Sequence, residues 1–456
     1  MLCKGEEFAM KILFVNGSPR GRFSVTLQTC RYLEQRFPRH SYETLNVGAG
    51  LESLERDLRP AAAALARAEL VIFAYPVYMG LPPYPLCRFF EWMRAGRLPV
   101  RNRCVTQITT SQHIFDDSAR RYTEENCLDC GMRVIPGLSA GMEDLLSEAG
   151  REQAEDFFRH ALWCAEKGVW EQGTVRPEKE APVYEQSLAP VEKQAGFDTV
   201  ILADLREGDE SLRALIKDFD AVYPYKTRFV NLADFPFQGG CLGCLNCALS
   251  GQCVYRDGFD ALLQSLRKAD ALVFAFTLQG HGMGTRFKLF EDRQFCLGQR
   301  FLSFEKPVAY LCHGDLREEK DLLALLRGRA SLSRSVFAGA ATDRDSLTRL
   351  AAELCWALEN EVRVPQDFPG AGAGVLTRDM LWLLRGLFRA DHRFYRTMRF
   401  YDFPHRRFPR MLSLLLLGAV MRSARLRRIL GKRMNDGLLA PYERVIENER
   451  TQREQP

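Results

Sequence analysis

What the sequence lacks narrows the field first. No apolar run approaches the roughly twenty residues that span a bilayer; the longest candidate, Leu412 to Met421, is about half that length. The opening MLCKGEEFAMKILFV carries acidic groups before a short apolar run. It has no long hydrophobic stretch closed by a small-residue cleavage site, so no secretion signal is read and a cytoplasmic location is expected. Collagen-like, disordered and small disulfide-scaffold compositions are also missing. Instead 46% of the 456 side chains are apolar, enough for the cores of two or three domains. Without export, the fourteen cysteines read as metal ligands, redox groups or packing rather than as disulfides.

Charge is unevenly spread. The net charge is +5, yet Ala371 to Pro456 holds eighteen Arg and Lys against eight Asp and Glu, so a basic tail follows a mildly acidic body. Arginines and aromatics alternate at helical spacing in TRDMLWLLRGLFRADHRFYRTMRFY. Such helices either pack on the body with their charges solvated or make a peripheral contact with an anionic membrane surface. No nucleic-acid fold motif accompanies the charge, and no nucleic-acid partner is expected.

Short apolar runs alternate with helical patterns: KILFV, AELVIFAYPV, RCVTQITTS and CGMRVIPGL, the last (Cys130 to Leu138) before a helix expected from Met142 to about Lys167. This order predicts a parallel sheet covered on both faces. The same order recurs further on, with FDTVILADL, ADALVFAFTLQGHGMGTRFKLFEDR, KPVAYLCHG and SRSVFAGAA answering the first set. The organisation read from this is an α/β domain at 10–167, a Pro/Glu/Lys-rich linker at 168–195, a second α/β domain at 196–360, a linker at 361–375 and a basic helical region at 376–456.

Two stretches carry chemistry. The first is NGSPRGRFSVT, between the first strand and first helix, where free backbone N–H groups and the helix dipole can hold an anion. It is neither the dinucleotide fingerprint G-x-G-x-x-G nor a P-loop, and its Gly, Pro and Ser would also suit any strand-to-helix turn. The second is GGCLGCLNCALSGQC, in which Cys241, Cys244, Cys247 and Cys253 have the spacing C-x2-C-x2-C-x5-C. Short gaps let thiolates converge on one face of a cuboidal cluster, and the interleaved glycines leave N–H groups free to point at sulfur. Zinc and unligated redox thiols are the alternatives, although all-cysteine zinc sites usually pair two knuckles across a longer spacer. Cys127 and Cys130 form a C-x-x-C that packing explains as well as redox work does. His113 and His281 each lie near one of the expected sites, but a lone histidine is more often a surface or core residue.

The G-S-P-R loop with its Ser/Thr-rich helix start, together with YPVYMG after the next strand but one, resembles the flavodoxin-like superfamily, in particular NAD(P)H-dependent FMN reductases and iron-sulfur flavoproteins. The resemblance implies two tandem flavodoxin-like doubly wound parallel-sheet domains. It implies that Ser18, Arg20, Ser24 and Thr26 hold the FMN phosphate, with Gly17 and Pro19 shaping the turn. Pro76, Val77, Tyr78, Met79 and Gly80 would form the platform of the flavin ring, and Thr109, Thr110 and Ser111 would donate hydrogen bonds to it. The cysteine segment resembles the compact motif of iron-sulfur flavoproteins, which implies that all four cysteines bind one [4Fe-4S] cluster. In the second copy ADLREGDES replaces the phosphate loop with carboxylates, and Gln279 stands near the place of the aromatic, so that copy reads as having lost its flavin.

Together these features point to an internal pseudodimer with flavin on one half and cluster on the other. It would act as an oxidoreductase that takes electrons from NAD(P)H or a small electron carrier and passes them to an unknown acceptor. A redox-responsive binding or sensor protein with a structural metal, and a plain FMN reductase with zinc in the cysteine loop, are the competing readings.

Overall fold

A computed structural model describes residues 9–171, 181–404 and 407–420, with the short pieces 422–423, 425, 439 and 442–447 beyond them. The middle of the first expected linker and most of the tail after 420 lie outside the described residues.

The first half runs β1 (Lys11–Asn16), α1 (Val25–Arg36), β2 (Ser41–Asn46), α2 (Leu51–Arg56), α3 (Arg59–Arg67), β3 (Leu70–Pro76), α4 (Tyr84–Arg94), β4 (Cys104–Ser111), α5 (Asp116–Asp129), β5 (Arg133–Val134), β6 (Leu138–Gly141) and α6 (Glu148–Lys167). Its sheet is parallel, in the order β2-β1-β3-β4-β5, with β6 also on β4. This is the doubly wound flavodoxin-like order. Side chains alternate through β1: Leu13 and Val15 join Phe73, Phe89 and Phe90 on one face, while Ile12 and Phe14 join Leu27, Leu33 and Phe158 on the other. Burial on both faces explains why these strands read as unbroken apolar runs.

The second half runs β7 (Gln194–Ala203), α7 (Glu210–Val222), β8 (Tyr225–Asn231), α8 (Asn246–Ser250), α9 (Phe259–Lys268), β9 (Ala271–Thr277), α10 (Thr285–Arg293), β10 (Pro307–His313), α11 (Lys320–Leu332), β11 (Val336–Ala341) and α12 (Arg344–Glu359). Its five strands are parallel and ordered β8-β7-β9-β10-β11, the same winding. After it come α13 (Phe368–Leu383), α14 (Arg389–Thr397) and α15 (Phe408–Val420), and residues 442–447 are also helical. The chain through Phe394 forms one compact unit, and Tyr395 onward a second.

Three expectations need correction. The strand expected at Cys130 to Leu138 is two short strands separated by Ile135–Gly137; Cys130 caps α5 instead, and Pro136, which lacks an N–H, falls in the gap. The helix expected from Met142 starts at Glu148, capped by Ser147, whose Oγ accepts from Gly150 N. The stretch 361–375 holds the start of α13 rather than a free linker. Asp367 caps that helix, and Asp367 and Gln366 both bond to Ser331 at the end of α11.

The two halves meet through equivalent helices, α4 against α10 and α5 against α11. In each half a tight turn follows the third strand, closed by a Tyr78–Leu81 bridge in one and a Gln279–Gly282 bridge in the other. Reciprocal side chains grip these turns. Asn126 on α5 donates to Gly280 O at 3.2 Å, and Arg329 on α11 donates to Met79 O at 3.1 Å. Tyr84 N and Thr285 N, at the starts of α4 and α10, donate across the interface to Asp292 and Glu91 at 2.7 and 3.2 Å.

Candidate functional site

The first loop is built for close backbone approach at the carboxyl edge of the sheet. Asn16 Oδ1 accepts from Ser18 N, Ser18 Oγ accepts from Arg20 N, and Ser24 caps α1 by accepting from Leu27 N. Ser18 and Ser24 are both buried. The loop therefore presents hydroxyls, main-chain N–H groups and the Arg20 guanidinium at a helix start, the chemistry that holds a phosphate.

Beside it lies a cavity of about 380 Å³, lined by Ser18, Arg20 and Ser24, by Pro76, Val77 and Tyr78, by Thr110, Ser111 and Gln112, and by all four cysteines of the loop in the second half. The loop after β1, the segment Pro76–Tyr78, the end of β4 and the cysteines thus face one space. Met79 and Gly80 line an adjoining cavity of about 300 Å³, which shares Val77, Ser111 and Gln112 with the first. Gly17, Thr26 and Thr109 stand behind the wall: Thr26 Oγ1 bonds to Thr110 Oγ1 at 2.6 Å, Thr109 Oγ1 to Leu138 O, and Gly17 backs onto Leu86. Pro19 does not line the cavity.

The cysteine loop follows β8 and lies against the first half at a glycine. Gly243 adopts φ +64°, and a Cβ there would come within 2.7 Å of the Tyr78 hydroxyl and 3.2 Å of the Arg20 side chain. Tyr78 also packs edge-on against Phe295, with ring centroids 4.8 Å apart. Cys241, Cys247 and Cys253 are partly buried and Cys244 is exposed. Burial pushes the Cys241 thiol up to about 12, opposed by the Gly243 N–H at its sulfur and reinforced by Asp292, Cys247 and Cys253. Burial likewise raises Cys247, and Cys244 adds to it. Cys241 and Cys247, hindered from ionising by burial and by neighbouring thiols, are donors suited to a cationic centre.

Sequence reasoning did not find the residues that set this wall. Lys288, buried on α10, donates to Tyr78 O at 2.7 Å and pairs with Asp292. Burial pushes Asp292 up to about 6, with Lys288 opposing. Arg293 is fully buried, with Tyr255 and Phe259 ring centroids 4.6 and 4.7 Å from its guanidinium carbon. Its Nη atoms bond to Asp257 and Gly239 O, while its Nε has no hydrogen-bond partner. Met380 on α13, with Leu384 and Phe388 after it, completes the apolar side of the cavity. The one available signal was a helix, LFEDR, that ends in charge although its face is buried.

The equivalent edge of the second half is different. Asp204 N bonds to Ala275 O just as Gly17 N bonds to Ala74 O, so a buried carboxylate occupies the position of Gly17. Arg206 Nη2 pairs with Asp204 at 2.9 Å, and burial, the largest influence, raises the Asp204 pKa. His281 stands where the first half has Gly80, and both have positive φ, +62° and +75°. Its imidazole bonds to Asp129 at 2.8 Å and Glu319 at 2.9 Å, with Glu125 at 3.8 Å.

Residues 10–143 match the NADPH-dependent FMN reductase family. An iron-sulfur flavoprotein of Clostridioides difficile (strain 630) is 27% identical over 111 residues, covering 24% of this chain and 49% of that protein. The chain thus spans about half the length of the curated relative it matches. An NAD(P)H:quinone oxidoreductase from Methanothermobacter marburgensis is 15% identical, over 36% of this chain and 99% of that one, with a TM-score of 0.28. An FMN-dependent NADH-azoreductase from Bacillus anthracis str. Ames Ancestor, in complex with FMN, is 12% identical over 35% and 99%, with a TM-score of 0.25.

Proposed function

We propose, from a first domain of the NADPH-dependent FMN reductase family, that the chain is an FMN-dependent NAD(P)H oxidoreductase whose second half carries a [4Fe-4S] cluster beside the flavin. The observation that carries this reading is the common cavity: the phosphate loop and platform form one side and the four cysteines the other. When bound, FMN would accept a hydride and the cluster would carry single electrons, making the pair a two-electron to one-electron converter.

The chain's own residues supply binding, orientation and dryness. Ser18, Ser24 and Arg20 would hold the phosphate, and Pro76, Val77 and Tyr78 would flank the ring. Thr110 and Ser111 would offer donors at its edge. Cys241, Cys244, Cys247 and Cys253 would ligate the cluster, and the unpartnered Nε of Arg293 is a buried donor on the same cavity wall. Phe295, Met380, Leu384 and Phe388 keep one side apolar, which excludes water and strengthens polar interactions inside.

The two halves are read as a tandem duplication, supported by the shared strand order and the reciprocal grips on the two turns. The electron donor is NAD(P)H or a small electron carrier, the acceptor is a separate partner, and the reaction is placed in the cytoplasm. The test is anaerobic purification followed by a visible spectrum and by iron, sulfide, zinc and flavin analysis. Flavin bands over an iron-sulfur shoulder, lost selectively from Cys244→Ala, are expected. Zinc with flavin would leave a plain FMN reductase. Neither cofactor would favour a redox-responsive binding protein.

A further inference from the structure

The helix α15 is apolar on every side. Phe408, Met411, Leu414, Leu415, Leu416 and Val420 are each between 42% and 64% exposed, and no residue of the helix is buried. At 100° per residue these positions go right round the axis. Between Met411 and Val420 there is no charge, and the one hydroxyl, Ser413, is turned back onto Arg410 O. A helix that is hydrophobic all round calls for surroundings that enclose it, not a groove that covers one stripe.

Charge identifies those surroundings. Arg407 and Arg410 precede or open the helix, Arg422 and Arg425 follow it, and the sequence adds Arg427, Arg428, Lys432 and Arg433. Asp402, paired with Arg407, is the nearest preceding acid. A helix of 13 residues is about 20 Å long, short of the roughly 30 Å hydrocarbon core. Among the described residues no helix is long and apolar enough to cross a membrane. Both arginine groups must then stay on the same side of a bilayer, at headgroup level, where long basic side chains place their charge.

We propose that α15 and its flanking arginines form a docking surface for an anionic lipid bilayer, entered from one side by a short apolar helix and held there by the basic groups at both its ends. This stands apart from the cofactor reading. The apolar helix supplies burial, and each arginine near the surface adds attraction that salt weakens.

Flotation of the full chain with vesicles of phosphatidylcholine alone and of phosphatidylcholine with phosphatidylglycerol tests it. Binding to the phosphatidylglycerol vesicles and little to the others is expected. Each of Arg407→Ala, Arg410→Ala and Arg422→Ala should lower the partition coefficient about fivefold. Leu414→Asp with Leu417→Asp should abolish binding while leaving the circular dichroism of the α/β unit unchanged, since neither side chain is buried. Failure of the intact chain to bind phosphatidylglycerol vesicles would overturn the proposal. So would undiminished binding by the double aspartate variant. A dimer that this variant dissociates, without vesicle binding by the intact chain, would make a second copy the occupant instead.

Discussion

Arg293 grips Asp257 through both terminal nitrogens, at 2.7 and 2.9 Å, and one of those nitrogens also reaches Gly239 O at 2.9 Å. Gly239 lies just before the cysteine loop and Asp257 just after it, so one buried guanidinium ties the two ends of the loop together. Removing it leaves a buried carboxylate without its partner, which costs about 3–5 kcal/mol. Arg293→Met should lower the melting temperature accordingly and reduce metal retained per chain. A wild-type metal content and melting temperature would deny Arg293 this role.

The same pair sets an acid limit. Burial works to raise the Asp257 carboxyl, but Arg293 and the N–H groups of Gln238 and Phe259 outweigh it and hold the group down to about 2. A carboxyl depressed in the folded state contributes stability above its unfolded value near 4. That contribution should disappear as pH falls from about 4 towards 2. Denaturant melts across that range should show the loss, and Asp257→Asn should show a shallower one.

His281 gives the opposite sign at the other end of the scale. Burial alone would lower its pKa, yet Asp129 and Glu319 raise it to about 9. The stabilisation, on the order of 3 kcal/mol, is fully present below the unfolded value near 6.5 and lost as pH rises through 9. Because Asp129 belongs to the first half and Glu319 to the second, the loss should fall on the joint between them. Thermal denaturation from pH 6 to 10 should show the decline, and His281→Gln should flatten it.

Close approach of the halves depends on Gly243. Gly243→Ala would place a methyl 2.7 Å from the Tyr78 hydroxyl in a left-handed conformation, itself a cost of about 1–2 kcal/mol. Lower stability by at least that much is expected in denaturant melts, together with weaker FMN binding. Unchanged FMN affinity would mean that the loop does not support the flavin wall.

FMN titration should saturate at one per chain, because in the second half Asp204 fills the place of Gly17 and Glu207, Asp209 and Glu210 stand where the first loop has hydroxyls and arginines. Arg20→Ala should weaken binding roughly 10- to 100-fold, the worth of a charge-assisted hydrogen bond. Asp204→Ala should leave the stoichiometry at one. A second equivalent bound by the wild-type chain would contradict the asymmetry.

Much of this architecture was legible in the sequence because parallel strands buried on both faces are unbroken apolar runs, and because KILFV and VILAD recur with the same neighbours. The loop after β1 and the cysteine spacing were legible as motifs for a related reason: local chemistry stays local. Arg293, Lys288 and Met380 were not, since their roles depend on α10 and α13 packing near residues some 50 to 300 positions away in the chain. Pro136 could have split the fifth strand in advance, whereas nothing in the periodicity of 361–375 announced that Asp367 and Ser331 would dock α13.

A symmetric dimer of two identical chains must repeat every substitution on both sides of its axis. Here the two sides are spelled separately. A neutral amide, Asn126, holds the turn of one half and a guanidinium, Arg329, holds its counterpart; a glycine at position 80 is answered by a histidine at 281. One half can therefore specialise in one ligand while the other gives up that ligand and takes on another. The joint between them becomes a place where two different sites can be tuned independently by single changes.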